Sequence, residues 1–228
     1  MTDLSVWVVI PAYNEAEVLG QVLRELLDYD SSYHVVVVDD TSTDDTAAVV
    51  RRFPVHLLRH PVNLGQGAAL ATGIEYALRA KAEIVVMFDA DGQMCPKDIG
   101  VLVDEVVDGG VDVALGSRFL NASPKGMSVI KKLTLRLATK MTRLVTGLDV
   151  TDTHNGLRAF KAQSLRKCVI TQNRMAHASE LLSEIARNKL AYREVPVTIR
   201  YTSYSKAKGQ SISNAINILF ELLTGARK

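Results

Sequence analysis

Short apolar runs alternate with longer amphipathic segments through the first half of the chain. The apolar runs are VWVVI, HVVVVDD, VHLLRH, EIVVMFDAD and VDVALGSRF, and they are rich in branched residues without a polar alternation. Between them, apolar residues recur at helical spacing, as at Val18, Leu19, Val22, Leu23, Leu26 and Leu27. This alternation predicts βαβ units and an α/β fold, with a mostly parallel central sheet flanked by helices.

Polar residues follow the predicted strands. In open parallel sheets, ligands bind outside the carboxyl ends of the strands, so these positions are candidates for a binding site. They are Pro11, Tyr13 and Glu15 after the first strand, Asp39 and Asp40 after the second, Asp89, Asp91 and Gln93 after the fourth, and Arg118 after the fifth.

The DADGQ stretch is the candidate metal site. Buried carboxylates need a cationic partner, and carboxylate and amide oxygens suit Mg²⁺ or Mn²⁺. Asp89, Asp91 and Gln93 could therefore hold a divalent ion. A turn with Asp91 and Gly92 at its corner, followed by a capped helix, explains the same residues about as well.

Charge is distributed unevenly between the two halves. Residues 1–116 carry 7 Lys and Arg against 19 Asp and Glu, whereas residues 117–228 carry 20 against 6. An acidic half suits a metal or sugar hydroxyls, and a basic half suits phosphates, nucleic acid or an anionic membrane. Few aromatic residues accompany the basic ones, so we expect no nucleic acid partner.

The stretch SVIKKLTLRLATKMTRLV predicts a basic amphipathic helix that either lies in a lipid interface or caps a core. No apolar run reaches the roughly 18 residues of a spanning helix, and the start of the sequence lacks the pattern of a signal peptide. We therefore expect a cytoplasmic protein whose contact with lipid is peripheral. Two distant cysteines, outside any CxxC pair, fit a reducing compartment.

Six ordered motifs resemble a known family. PAYNE, VVVVDDTSTDDT, NLGQGAAL, FDADGQ, GSRF and TDTHNGLRAF are similar to the family 2 glycosyltransferases of GT-A fold, and most to the branch that glycosylates polyprenyl phosphates. The resemblance covers about residues 5–200. It implies one GT-A domain over residues 1–228, with a nucleotide-sugar half at 1–117 and an acceptor half at 118–228.

The resemblance also implies roles for individual residues. It predicts an inverting transfer of one sugar from a UDP- or GDP-sugar to a polyprenyl phosphate, with Mg²⁺ or Mn²⁺ as cofactor. The residues fall into four groups. The donor would contact Pro11, Tyr13, Glu15, Asp39, Asp40, Gly65, Gln66, Asp89 and Asp91; the metal would contact Asp89, Asp91 and Gln93; the acceptor phosphate would contact Arg118, Lys132, Arg136 and Lys206; the catalytic residues would be Asp91, Arg118 and Asp152.

Several residues and the acceptor allow more than one interpretation. Gln66 stands where many relatives have a lysine, which removes a cation near the donor. Asp152 either orients the nucleophile or caps a turn, and His154 fits a polar surface residue better than a ligand. A polysaccharide or small-alcohol acceptor, a non-catalytic nucleotide-sugar-binding module, and recruitment by a membrane-embedded partner protein remain alternatives.

Overall fold

A computed structural model describes residues 4–120, 129–174, 176–200 and 204, with the side chains of 129–134 and 138 left aside. Lys206 and the stretch SISNAINILFELL lie outside the described residues, as does the side chain of Lys132. The strands are β1 Val6–Ala12, β2 His34–Asp39, β3 His56–Arg59, β4 Ile84–Met87, β5 Val113–Ser117, β6 Arg158–Lys161 and β7 Tyr192–Pro196. The helices are α1 Ala16–Tyr29, α2 Thr46–Val50, α3 Gln66–Arg79, α4 Lys97–Val107, α5 Val129–Thr146, α6 Ala162–Leu165 and α7 His177–Arg187.

The seven strands form one sheet in the order β3-β2-β1-β4-β6-β5-β7. β6 runs antiparallel to both of its neighbours, and the remaining pairs are parallel. The expected mostly parallel α/β fold is confirmed, and the five strands predicted from the first half all form. The reversed strand β6 has a consequence for the site: its start lies at the same edge of the sheet as the ends of β4 and β5.

The core lies on both faces of the sheet, because the central strands bury their side chains on each side. All seven residues of β1 and all four of β4 are buried. On one face α1 packs Leu19, Leu23 and Leu26, none of them accessible to solvent. On the other face α3 packs closely enough that a Cβ at Gly73 would lie 2.3 Å from Val9 Cγ1.

Helix α5 has an unusual pattern of burial. Thr139 and Thr142 are buried, whereas Leu137, Leu144 and Val145 are 50%, 73% and 66% exposed. A helix that only covered a core would show the opposite arrangement. The two interpretations of this helix, one in a lipid interface and one as a cap on a core, both stay predictions. Within the described residues, no helix combines the length and the apolar character needed to cross a membrane.

Candidate functional site

The predicted site residues of the first half gather at the carboxyl edge of the sheet. The segments that follow β1, β2, β4 and β5 all open at this edge, and so does the loop that precedes β6. The charged groups that act on Asp89 include Asp91, Glu15, Arg118 and Arg158. Sequence positions up to 143 residues apart, from Glu15 to Arg158, are thus brought into one electrostatic environment.

The loop after β1 is held by the loop after β2. Ser42 Oγ accepts the backbone N–H of Asn14 at 2.9 Å, and Thr46 Oγ1 accepts that of Glu15 at 2.8 Å. Asn14 takes a left-handed conformation with φ 53°, which asparagine tolerates better than most residues. These bonds fix Glu15 at the start of α1, next to Tyr13, whose side chain is 45% exposed at the rim.

Asp39 and Asp40 are both buried, but their surroundings differ. Asp39 Oδ1 accepts the N–H of Ser42 at 2.9 Å, and its Oδ2 lies 2.9 Å from Arg59 Nε without hydrogen-bond geometry. Asp40 instead accepts the backbone N–H groups of Leu64 at 2.9 Å and Gly65 at 2.7 Å. Asp40 therefore anchors the loop before α3, and its predicted contact with the donor stays a prediction.

A histidine completes the anchor of that loop. His60 Nδ1 lies 2.7 Å from Asp40 Oδ1, and its Nε2 lies 2.9 Å from Thr72 Oγ1 in α3. His60 was not among the predicted site residues, because a histidine immediately before Pro61 gives no distinct signal in the sequence. The result is a rigid entry into α3, which carries Gln66.

The glycines of NLGQG allow a close approach of another part of the protein backbone. A Cβ at Gly65 would lie 2.4 Å from the carbonyl oxygen of Asn173, and one at Gly67 would lie 2.0 Å from that of Gln172. Gly65 also has φ 101°, a conformation that side chains disfavour. These glycines admit the backbone of the segment before α7, and the predicted contact of Gly65 with the donor stays untested.

Asp89 and Asp91 form the acidic centre of the edge. Burial and the neighbouring Asp91 raise the pKa of Asp89 to about 7, although Arg158 and Arg118 oppose the rise. Gln66 Nε2 donates to Asp89 Oδ1 at 3.2 Å. Gln93 donates its amide Nε2 to Asp91 Oδ2 at 2.7 Å, so it supports a carboxylate here, and its role as a metal ligand remains a prediction.

Arg158 is a member of the site that the sequence analysis did not single out. Its side chain is buried, and it donates to the carbonyl oxygens of Thr153, Asn155 and Ala178 at 3.1–3.2 Å. Burial lowers its pKa to about 10, and Asp152 and Asp89 oppose that shift. An arginine inside the apolar GLRAF strand was the available signal, because a buried cation requires acidic or carbonyl partners.

The two residues predicted to act on the acceptor are paired with each other. Arg118 Nε donates to Asp152 Oδ2 and Arg118 Nη2 donates to Asp152 Oδ1, each at 2.6 Å. Asp152 also accepts the backbone N–H of Arg118 at 3.1 Å, and it is 3% exposed. This is a bidentate, charge-assisted pair of the strong kind. The side chain of Arg136, in contrast, is exposed on α5.

The loop that carries Asp152 is held by residues that the sequence analysis missed. Glu194 Oε1 accepts the backbone N–H groups of Thr151 at 2.7 Å and Asp152 at 3.1 Å. Burial raises the pKa of Glu194, against the effect of these N–H groups. His154 was expected as a polar surface residue, yet burial lowers its pKa to about 4, so it is neutral at physiological pH.

The sequence comparisons identify the family to which this chain is related. The model of the family described as glycosyl transferase family 2 matches residues 7–169. A UDP-N-acetylglucosamine–dolichyl-phosphate N-acetylglucosaminyltransferase of Methanococcus voltae is 31% identical over 245 residues, which cover 98% of this chain and 96% of the relative. A polyprenol monophosphomannose synthase of Mycolicibacterium smegmatis is 29% identical over 221 residues, which cover 92% and 83%.

The chain belongs to glycosyl transferase family 2. Its relatives fall within the polyprenyl-phosphate branch that the motifs indicated. Among solved structures, glucosyl-3-phosphoglycerate synthase from Mycobacterium tuberculosis, in complex with Mn²⁺, UDP-glucose and phosphoglyceric acid, matches with a TM-score of 0.71 at 20% identity. The match covers 96% of this chain and 79% of that one, and it confirms the GT-A type of fold.

The acidic centre of this glycosyltransferase fits a divalent cation. Asp89 and Asp91 are hard oxygen donors whose mutual repulsion a dication would relieve, and Mg²⁺ commonly combines one or two carboxylates with substrate phosphates. A Cβ at Gly156 would lie 2.5 Å from Asp89 Oδ2, so the glycine lets the backbone lie against that carboxylate. In the part of the chain that the structure describes, no group of three His, Cys, Asp or Glu could hold a metal by itself.

Proposed function

We propose that this glycosyltransferase moves one sugar, with inversion, from a nucleoside-diphosphate sugar to a polyprenyl phosphate at the cytoplasmic face of a membrane. The observation that carries the proposal is the meeting of Asp89 and Asp91 with Arg118 and Asp152 at one edge of the sheet. The names of the relatives supply the class of acceptor, since they act on dolichyl phosphate or make a polyprenol monophosphate sugar.

The donor is assigned to the edge formed by β1, β2 and β4. Asp39 lies at the end of β2, where the resemblance puts the nucleoside, and its buried carboxylate is ion-paired with Arg59 at 2.9 Å. Asp89 and Asp91 would hold Mg²⁺ or Mn²⁺, which supplies charge stabilisation for the departing diphosphate. Gln66 and Gln93 keep the two carboxylates in position.

The state of Asp152 favours a phosphate over an alcohol as acceptor. An alcohol must lose a proton and needs a nearby base, whereas a phosphate monoester is already anionic. Asp152 has both oxygens engaged by Arg118 and further bonds from backbone N–H groups, so it is poorly suited to act as a base. Arg118 is instead suited to attract an anion, and catalysis then depends on placement and on neutralised charge.

The exposed face of α5 supports contact with a membrane surface. Leu137, Leu144 and Val145 present apolar side chains, and Arg136 and Lys140 are exposed on the same helix. Apolar side chains next to cations are typical of helices that lie in a lipid interface. This arrangement would bring the protein to the place where a polyprenyl phosphate has its head group.

The test is a transfer assay on vesicles that carry a polyprenyl phosphate. Purified protein is incubated with labelled UDP- and GDP-sugars, one at a time, in the presence of Mg²⁺ or Mn²⁺. We expect label to appear in the lipid fraction with at least one donor, and EDTA to abolish it. Absence of transfer with every common donor, together with transfer to a soluble alcohol, would overturn the assignment of the acceptor.

A further inference from the structure

The edge strand β7 supports the loop that carries Asp152. Tyr192 and Glu194 are two residues apart, so their side chains project from the same face of the strand. Tyr192 Oη accepts the backbone N–H of Asp149 at 2.8 Å, and Glu194 accepts the N–H groups of Thr151 and Asp152. The strand thus holds this loop by three backbone groups over four residues.

The support continues from the loop to Arg118. Glu194 accepts the backbone N–H of Asp152 and so fixes the position of this residue. Both carboxylate oxygens of Asp152 in turn accept hydrogen bonds from the Arg118 guanidinium. A second contact fixes the same two segments, because Ser117 Oγ and Thr151 Oγ1 lie 2.6 Å apart. β5 and β7 are paired neighbours in the sheet, with Leu115 opposite Glu194. Arg118 directly follows β5 and Glu194 belongs to β7, so the first and the last residue of this series of contacts are attached to the same pair of strands.

We propose that Glu194 is a positioning residue for the acceptor anion: through the backbone of Thr151 and Asp152, it sets the orientation in which Arg118 presents its guanidinium. The inference rests on the proposed function, because it takes the anion to be the acceptor phosphate. The bidentate pair with Asp152 fixes the plane and the direction of the Arg118 guanidinium. A shift of the loop that carries Asp152 would therefore change where this positive charge lies relative to the acceptor phosphate.

A carboxylate is better suited to this role than a neutral amide. Glu194 accepts from two adjacent N–H groups, and a charged acceptor forms stronger bonds than a neutral one. In Glu194→Gln the side-chain NH₂ would face a backbone donor, and the loop would shift or loosen. Because the donor is assigned to the ends of β1, β2 and β4, on the far side of β6, its binding should not change.

The test compares Glu194→Gln with Glu105→Gln as a matched control. Glu105 contacts Arg193, the residue next to Glu194 that projects from the opposite face of β7. Transfer to farnesyl phosphate is measured with the donor that serves the wild type, and the KM values for the two substrates are determined separately. We expect the KM for farnesyl phosphate to rise about tenfold in Glu194→Gln, with the donor KM unchanged within about twofold.

Other outcomes separate the possible failures. If both variants match the wild type, or if Glu194→Gln lowers kcat and melting temperature with both KM values unchanged, Glu194 is a structural residue and the inference is wrong. If the wild type neither binds farnesyl phosphate nor transfers sugar to it, the proposed function fails and the inference with it. If Glu194→Gln does not fold, Tyr192→Phe decides: the same selective rise in KM, smaller in size, supports the inference, and its absence overturns it.

Discussion

Carboxylates occur on both sides of β6, and the groups that surround them differ. On the side of β5 and β7, Asp152 is matched by Arg118, and Glu194 is matched by backbone N–H groups. On the side of β4, Asp89 lies close enough to Asp91 for its pKa to rise to about 7. Donors of the protein therefore hold Asp152 and Glu194 in place, whereas Asp89 and Asp91 repel each other, and under the proposed function a divalent cation would relieve that repulsion.

The largest expected effect is at Asp91. Asp91→Asn keeps the shape of the side chain and removes one of the two negative charges that would hold the metal. We expect kcat to fall about 10³-fold, since a metal contributes several kcal/mol of charge stabilisation. The measurement is transfer in saturating Mn²⁺, together with Mn²⁺ binding by the protein in the presence of UDP or GDP.

The control for this prediction is Asp108→Asn, which makes the same chemical change at an exposed position after α4. Its kcat should equal that of the wild type. Asp108→Asn should melt at the wild-type temperature. Asp91→Asn removes a repulsion from Asp89 but places an NH₂ group opposite a donor of Gln93, so its melting curve is recorded to establish that the variant is folded. Retention of full activity in Asp91→Asn would show that the metal does not depend on this carboxylate.

The second prediction concerns Asp40, an acidic residue at the donor edge whose carboxylate accepts hydrogen bonds from the protein itself. For such a residue we expect a change to affect stability more than activity. In Asp40→Asn, an NH₂ group would face the N–H of Leu64 or Gly65, or His60 Nδ1. We expect the free energy of unfolding to fall by about 2–3 kcal/mol, as for other buried groups left with a mismatched partner. The measurement is chemical denaturation.

Asp28→Asn, at an exposed position of α1, is the matched control and should change the unfolding free energy by less than about 0.5 kcal/mol. If Asp40→Asn were as stable as this control but bound the donor nucleotide less tightly, Asp40 would be a donor ligand, as the resemblance implied, and its role as an anchor would be secondary.

The sequence predicted those features of the fold and of the site that depend on local patterns. The strands β1 to β5 and the acids that follow them were predictable, because each signal is local: a branched apolar run followed by polar residues. The reversal of β6 and the pairing of β5 with β7 depend on contacts between distant segments and left no local pattern. Glu194 was missed for this reason, since its partners Thr151 and Asp152 lie 43 and 42 residues away in the sequence. Arg158 also has near partners, and its only signal in the sequence was a cation within an apolar run.

Gln66 departs from the family pattern, and its contact with Asp89 gives this departure a physical explanation. The sequence indicated only that a cation was absent near the donor, whereas the structure has the Gln66 amide donating to Asp89 Oδ1. A neutral donor supports this carboxylate without cancelling its charge, so Asp89 would stay available to the divalent cation of the proposed function. The motif identified the position, and the long-range contact identified the partner.

The smallest expected effect concerns His154, which lies between the two sides. Burial lowers its pKa from 6.5 to about 4, while the unfolded chain keeps the ordinary value. Between these values the unfolded chain binds a proton that the folded protein refuses, so His154 makes the protein less stable as the pH falls from 6.5 towards 4. His154→Asn should therefore be more stable than the wild type at pH 5.5 by about 1 kcal/mol, relative to their difference at pH 8. Melting curves at the two pH values should show a relative gain of about 2–4 °C, and an equal difference at both would mean that His154 titrates normally in the folded protein.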